Sequence, residues 1–365
     1  MEIGIIGFPQ SGKSTLLSAL TRGRSEASTA GSSRQDVLVG TTRMHDARLD
    51  TLAGIYNPKK VVHAEVTYWD VPAVAEGGDR QGIGGQYLNL LQGADAFIVV
   101  VRAFHDPSVP HESGSVDPLR DVEAMQEELA LSDLVILERR IARIEAGMKG
   151  ARAGERDNLL READLLGRVR EKLEGGVPLR DQELSSDEHT LLSNYQFLTG
   201  KPLLLVFNSD EDGQDSQPDL SSWMQAGPGV SMVSALSLCA KLEMELAQLP
   251  PEDEAEFRSS MDVGEPALEK VVSSSYRLLG LISFFTVGPD EVRAWTVKAG
   301  TEAPGAAGKI HSDMERGYIR AEVVTYEDLA RWGSIPNVKK EGRFRLEGKS
   351  YVVQDGDVMN ILFNV

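Results

Sequence analysis

Eight consecutive residues, Gly7-Phe8-Pro9-Gln10-Ser11-Gly12-Lys13-Ser14, carry the clearest chemistry in the chain. They satisfy G-x-x-x-x-G-K-[ST] at every fixed position, the pattern of a loop that cradles phosphates. The glycines let backbone N–H groups surround a β-phosphate, and the helix that follows adds the positive end of its dipole. In such a loop Lys13 reaches the β- and γ-phosphates, and the Ser14 hydroxyl ligates Mg²⁺. The residues expected to hold the nucleotide are Pro9, Gln10, Ser11, Gly12, Lys13, Ser14 and Thr15. A second Mg²⁺ anchor is needed at the end of a neighbouring strand. Asp70 closes the run AEVTYWD and fits that place. Base reading is expected after a later strand, and Asn208-Ser209-Asp210-Glu211 follows PLLLVF directly. A guanine-reading loop has the form N-K-x-D, with the carboxylate accepting from guanine N1 and N2. Here Ser209 replaces the Lys, and the longer Glu211 moves the carboxylate.

These groups need strands and helices to hold them. Glu2–Ile6 is a short apolar run ahead of the glycine loop, and Ser14–Leu20 is a periodic stretch behind it. Ala64–Trp69, Ala94–Val101, Pro202–Phe207 and Gly229–Val233 read as further buried strands. Strands separated by helical stretches predict a mostly parallel α/β sheet. The middle of the chain departs from that pattern. Leu134, Leu137, Ile141, Ile144 and Met148 recur at spacings of three and four, the seam of a packed helix. Glycines 147, 150 and 154 are expected to break it, and Leu159, Ala163, Leu166, Val169 and Leu173 resume a similar seam. The expectation is an inserted antiparallel helical hairpin, either a packing element or a docking arm. Pro250–Met261 is acidic and reads as a surface connection.

Residues 281–365 change character. Ser283–Val287, Glu291–Val297, Tyr318–Tyr326 and Tyr351–Val353 are β-rich, and Gly308–Glu315 reads as helical. Asp355-Gly356 between apolar runs predicts a hairpin turn. The expected division is 1–127 with 197–280 for the phosphate-binding domain, 128–196 for the helical insertion, and 281–365 for a small α+β domain.

Composition limits the alternatives. A chain of 365 residues exceeds what one core organises, so two or three domains are expected. No apolar run reaches the roughly 18 residues of a membrane span, and MEIGIIGFPQSGKS lacks the basic start of a signal peptide. The single cysteine, Cys239, argues against a disulfide framework or a cysteine-rich zinc site and for a cytoplasmic location. The net charge is −18, from 38 basic and 56 acidic residues, which repels nucleic acid at long range. Residues 281–365 hold 11 basic and 12 acidic residues and are the less forbidding surface for RNA.

Taken together, these residues resemble the Obg-related YchF family of P-loop NTPases, the Obg-like ATPases. The resemblance covers nearly the whole chain and is densest in LLGLISFFTVGPDEVRAWTVKAGTEAPGAAGKIHSDMERGYIRAEVVTYEDL and EGKSYVVQDGDVMNILFNV. It implies that the hairpin is the family's coiled-coil insertion and that the C-terminal part is a TGS domain, a ubiquitin-like β-grasp module. It implies hydrolysis of ATP in preference to GTP, because the family carries N-x-x-E, matched by Asn208 and Glu211. It also implies ribosome association, through large-subunit RNA or protein, and a stress-related regulatory role. Cys239-Ala240-Lys241-Leu242-Glu243 resembles the fifth nucleotide motif, with the backbone at Ala240 against the base; Ser234-Ala235 is a rival placement. His111, in VPHESGSVDP, matches a loop histidine that orients the attacking water.

Several positions depart from the family pattern. Gln10 stands where the family has an Asn that helps hold potassium in related NTPases. Ser28–Leu38 lacks the usual switch threonine, although Met44–Asp50 keeps the segment that follows it. The second switch reads Asp70-Val71-Pro72-Ala73 instead of D-x-A-G, and Val74 occupies the place of a catalytic Gln. Gly77–Gly85 is expected to be a mobile loop. The resulting expectation is a slow, Mg²⁺-dependent NTPase with Lys13 and His111 as its catalytic residues. The alternative is a ribosome- or RNA-binding module with a weak or silent nucleotide site, using Lys339, Lys340, Arg343, Arg345 and Lys349.

Overall fold

The structure, a computed structural model, describes residues 1–28, 37–72, 83, 85–111, 113–211, 232–261 and 263–364. Ala73, Val74, most of the Gly77–Gly85 stretch and residues 29–36 of the Ser/Gly-rich segment lie outside them. The first elements are β1 (Glu2–Ile6), α1 (Lys13–Thr21), β2 (Glu26–Ser28), β3 (Val37–Arg43), α2 (Ala47–Tyr56), β4 (Lys60–Val62) and β5 (Glu65–Asp70). Then come α3 (Gly85–Gly93), β6 (Ala96–Ala103), α4 (Pro118–Gly147), α5 (Ala153–Glu174), α6 (Ser186–Ser193), β7 (Leu203–Ser209) and β8 (Val233–Leu238). Helices α7 (Ala240–Leu246), α8 (Pro251–Ser260) and α9 (Ala267–Leu278) precede β9 (Leu281–Val287) and β10 (Glu291–Lys298). The chain ends with α10 (Ala303–Ile310), α11 (Ser312–Arg316), β11 (Tyr318–Thr325), α12 (Tyr326–Trp332), α13 (Ile335–Lys340), β12 (Arg345–Glu347) and β13 (Asp357–Phe363). Contacts divide these into two units, Met1–Thr41 with Thr67–Ser274, and Thr42–Val66 with Ser275–Val365.

The first unit is built on a mixed sheet in the order β2-β3-β5-β1-β6-β7-β8. β2 is antiparallel to β3, whereas β1 runs parallel to β5 and β6, and β7 runs parallel to β6 and β8. The central strands are continuous apolar runs because both faces are covered. All of β7 is buried, and Phe97, Leu203, Leu205 and Phe207 pack with Val122, Met125 and Leu129 of α4. Of the strand expected at 229–233, residues 229–231 lie outside the described residues; β8 runs from Val233 to Leu238, with Val233, Leu236 and Leu238 buried. Ser234 and Ala235 therefore lie inside the strand, paired with Leu204 and Leu205.

The helical seam is real but starts earlier than its leucines suggest. α4 begins at Pro118, with Asp117 accepting from Arg120 N at its cap. Leu137 and Ile144 pack against Leu165, Leu166, Val169 and Leu173 of α5. Gly154 does not break the helix: it lies in the first turn of α5, where backbone N–H groups have no intrahelical partner anyway. Asp133, fully buried on α4, accepts from Leu198 N, Thr199 N and Thr199 Oγ1 at 2.6–2.8 Å. Burial pushes its carboxyl up to about 6 against the pull of those hydrogen bonds.

The acidic stretch Pro250–Met261 lies on the surface as expected, but as a helix with two inward side chains. It forms α8, and Glu254 and Arg258 point inward. Arg258 grips Glu243 through two bonds of 2.7 and 3.1 Å and Glu254 through one of 3.1 Å. Glu243 also accepts from Ala267 N, and Glu254 accepts from Arg22, the residue that ends α1. Charge in a sequence reads as surface unless its partners, here 15 and four residues away, are known.

The second unit carries a sheet in the order β12-β11-β13-β9-β10-β4. β9 and β10 are antiparallel, β13 is parallel to β9, and β4 is parallel to β10. The core holds Phe284, Val297, Ala303, Ala307, Tyr318, Val323 and Met359. Residues 42–66 contribute α2 and β4 to this unit. Asp46 caps α2, and Arg48 lies between Asp46 and Asp355 at 2.9 and 2.7 Å, over the Phe285 ring.

Two local expectations fail here. Asp355-Gly356 is a turn but not a hairpin: Gly356 has φ 87°, and β13 leaves to pair with β11 and β9. Residues 351–353 make only an isolated bridge, Glu302 to Val352. The Asp355 carboxylate is used at long range instead, accepting from Ser283 N at 2.8 Å and from Arg48. The stretch Gly308–Glu315 is split at His311, whose extended backbone ends α10 and whose Nδ1 caps α11.

Arg258→Met will leave Glu243 buried without its cation and Glu254 with Arg22 alone. Breaking such a cluster costs about 3–5 kcal/mol. Chemical denaturation should therefore show a much lower midpoint, and a midpoint within error of the parent would refute the role assigned to Arg258.

Candidate functional site

The carboxyl ends of β1, β5, β6, β7 and β8 meet on one edge of the sheet, where ligands of open α/β folds bind. The phosphate-loop pattern lies there, between β1 and α1. Gly7 has φ 151°, and an added Cβ would stand 2.5 Å from Val100 O. Gly12 has φ 99°, and its Cβ would lie 2.2 Å from Asn208 Nδ2. Only glycine meets both demands at position 12. Gln10 takes φ 60°, a left-handed conformation that Asn tolerates better than most side chains.

Asn208, at the end of β7, joins three segments. Its Nδ2 donates to Ser11 O at 2.9 Å, and its Oδ1 accepts from Ala240 N at 3.0 Å. The phosphate loop and the β8–α7 junction are thus held by one buried amide. Ala240 opens α7, with Cys239 as the residue before it. Glu211 is exposed and lies close enough to Cys239 to reinforce, with Asp210, the upward push that burial gives the thiol. Asp210 itself accepts from His105 N.

Lys13 is buried, and its Nζ donates to Gly7 O and Phe8 O, both at 2.9 Å. The ammonium therefore spans the loop it belongs to. Ser14 Oγ donates to Asp70 Oδ2 at 2.6 Å. Asp70 ends β5 beside Ile5 of β1, which is why a residue 56 positions away reaches the loop. Burial raises the Asp70 carboxyl above its usual range, opposed by the Ser14 hydrogen bond and the Lys13 charge. Its Oδ1 is buried and has no hydrogen-bond partner among the described residues. A hydroxyl and a carboxylate with a spare buried oxygen suit a hard divalent cation such as Mg²⁺.

His111 lies on the far side of the loop, in a cavity of about 10 Å³ shared with Gly7, Phe8, Pro9, Ser11, Arg102, Asp121 and Met125. Its Nε2 donates to Asp121 Oδ2 at 2.8 Å, because its Nδ1 accepts from Ser113 N at 3.2 Å. Asp121 is oriented in turn by Arg120. Arg102, buried at the end of β6, holds the approach to this loop through Phe104 O and Val109 O. The structure thus brings Lys13, Ser14, Asp70, Asn208 and Ala240 into direct hydrogen-bonded contact with the loop or each other. It places His111 beside the loop and Glu211 near Cys239. The sequence reading missed Arg102 and Asp121. Arg102 had a signal, a cation at the end of the apolar run IVVV; Asp121 had none short of the fold.

The basic cluster in the second unit is partly neutralised. Lys339 pairs with Glu322 at 3.7 Å and lies over the Phe344 ring, and Arg345 pairs with Asp357 and Glu347. Its residues belong to α13 and β12 and the turns beside them. Among the described residues no helix is long and apolar enough to cross a membrane.

Comparison with known proteins agrees with this geometry. A family model described as "50S ribosome-binding GTPase" matches residues 2–140. The YchF GTPase C-terminal model, described as a protein of unknown function (DUF933), matches residues 281–364. The chain is 39% identical to the ribosome-binding ATPase YchF of Bacillus subtilis, with all of both chains covered. It is 35% identical to Obg-like ATPase 1 of Oryza sativa subsp. japonica, over all of this chain and 92% of that one. The solved Schizosaccharomyces pombe YchF GTPase superposes with a TM-score of 0.85 at 29% identity, covering 99% of this chain and 97% of that one. The P-loop, the Asn208 clamp and similarity across the full chain lead to one assignment: the chain belongs to the YchF family of Obg-like P-loop NTPases.

Proposed function

We propose that this protein is a Mg²⁺-dependent ATPase of the Obg-like type that acts as a ribosome-associated regulatory switch in the cytoplasm. The observation that carries the reading is the Asn208 clamp on a complete phosphate loop, with Ser14 and Asp70 paired beneath it. The ribosome enters because relatives similar over the whole chain are named ribosome-binding ATPases. In this reading the α4–α5 pair is the family's coiled-coil insertion, with α4 starting at Pro118, ahead of the expected boundary at 128. Residues 281–365 form its TGS domain, and 1–127 with 197–280 make up the NTPase domain except for residues 42–66 and 275–280, which pack in the second unit.

The residues divide the work as follows. Loop amides from Pro9 to Thr15 bind phosphate oxygens. Lys13 leaves the carbonyls of Gly7 and Phe8 for the β- and γ-phosphates and neutralises charge on the transferred group. Ser14 and Asp70 hold Mg²⁺, which when bound neutralises charge between those phosphates. Asn208, Glu211 and the backbone at Ala240 receive the base, and the Glu at position 211 favours ATP over GTP. His111 positions the attacking water; its ring must first exchange Ser113 N or Asp121 for that water, since both nitrogens are engaged.

Calorimetric titration with non-hydrolysable ATP and GTP analogues in Mg²⁺ buffer tests the reading. The ATP analogue will bind more tightly, and Lys13→Ala will abolish hydrolysis with the fold retained. Absence of binding by either analogue would overturn it. His111→Ala will lower kcat by about 10²-fold, the usual worth of a positioned acid–base group. The affinity for the ATP analogue will stay unchanged. A parent-like kcat in that variant would remove His111 from the reaction.

A further inference from the structure

α4 is longer than the helix it packs against. α5 stops at Glu174, where Gly175 and Gly176 (φ 81°) turn the chain away. The part of α4 ahead of Leu134 continues beyond that end, and a groove of about 420 Å³ opens beside it. Its floor is Ala130, Leu131, Leu134 and Leu173, and Glu123 and Glu127 stand on its rim. Residues 123, 127, 130, 131 and 134 share one face of the helix by their spacing. Leu131 and Leu134 are only half-buried. Both rim carboxylates are exposed, and among the described residues no cation pairs with either. Glu174, also at the groove, lies 3.6 Å from Arg170. An apolar floor rewards aliphatic side chains, while an unpaired acidic rim repels phosphate and attracts ammonium and guanidinium groups.

We propose that this groove binds a Lys/Arg-rich segment of a protein partner. Its aliphatic side chains seat on Leu131, Leu134 and Leu173, and its cations pair with Glu123 and Glu127. Nucleic acid is the wrong charge for this face. The proposal is independent of the nucleotide site and of its hydrolysis.

Because the whole chain is acidic, the test must separate this groove from general attraction. Fluorescence anisotropy of the full chain with a labelled amphipathic Lys/Leu helical peptide does so. Two charge reversals at the same spacing are compared: E123K/E127K on α4, and E252K/E256K on the exposed side of α8. The groove variant will weaken binding by about ten-fold or more, and the α8 variant by less than about two-fold. Leu131→Gln will also weaken binding, and a Glu/Leu peptide of the same apolar pattern will not bind. Binding of the ATP analogue by each variant verifies the fold. Equal losses in the two reversals would reduce the effect to net charge and overturn the proposal. So would displacement of the peptide by an RNA oligonucleotide that itself binds the parent but not the groove variant.

Discussion

One side-chain amide fixes the geometry of the nucleotide site. Asn208 cannot donate to Ser11 O and accept from Ala240 N unless the phosphate loop, the end of β7 and the start of α7 hold fixed distances. The clamp also dictates its neighbours. Nδ2 occupies the place where a Cβ at position 12 would lie, so Gly12 is required for packing as well as for its φ. β7 must run parallel between β6 and β8 for the amide to arrive at this level, because its registers place Asn208 against Arg102 and Leu238. A buried amide with both ends satisfied is worth more as a positioning device than as a source of stability, since its net contribution is about 0.5–1.5 kcal/mol per bond.

Charge is arranged around that clamp in two separate groups. Around the phosphate loop Lys13 and Asp70 are buried and the exposed Ser14 donates to Asp70, and burial strengthens the pull of the Lys13 charge on that carboxylate. On the side of α7 the Glu243–Arg258–Glu254–Arg22 cluster ties α7, α8 and the end of α1 together. α1 starts at Lys13 and ends beside Arg22, so one short helix connects the two groups. Glu243 lies one helical turn after Ala240. The cluster therefore sets the direction of the helix that presents the Ala240 N–H to Asn208.

How much of this was legible in the sequence depended on the distance over which each feature is decided. The phosphate loop was readable because its chemistry fixes residue types over eight positions. Asp70 was readable because an acid ending an apolar strand has few other uses once that loop is present. The apolar strands of the first unit were readable because burial on both faces leaves continuous runs. Asp355-Gly356 misled because a local turn signal says nothing of Ser283 and Arg48, which take its carboxylate from 72 and 307 positions away. α8 was legible as a surface stretch, but nothing local marks Glu254 and Arg258 as the two residues that turn inward. The placement of residues 42–66 had no local signal at all. It rests on β4 pairing with β10 and on Arg48 reaching Asp355.

His111 shows how geometry refines a motif. A histidine in a glycine- and serine-rich loop could face solvent in any rotamer, but here Asp121 and Ser113 take both nitrogens and fix the Nε2–H tautomer. Arg102 and Arg120 then restrain the two sides of the loop, one from β6 and one from α4. The ring is held within the cavity shared with Gly7 and Ser11, yet it cannot accept a proton or orient water without giving up a partner. Freeing either nitrogen requires a rearrangement of the loop. Whatever changes the first turn of α4, which carries Arg120 and Asp121, therefore acts on the histidine directly. α4 is also the helix that runs on to Asp133 and the α5 seam. The His111 loop and the helical pair are for that reason joined through one continuous helix, α4.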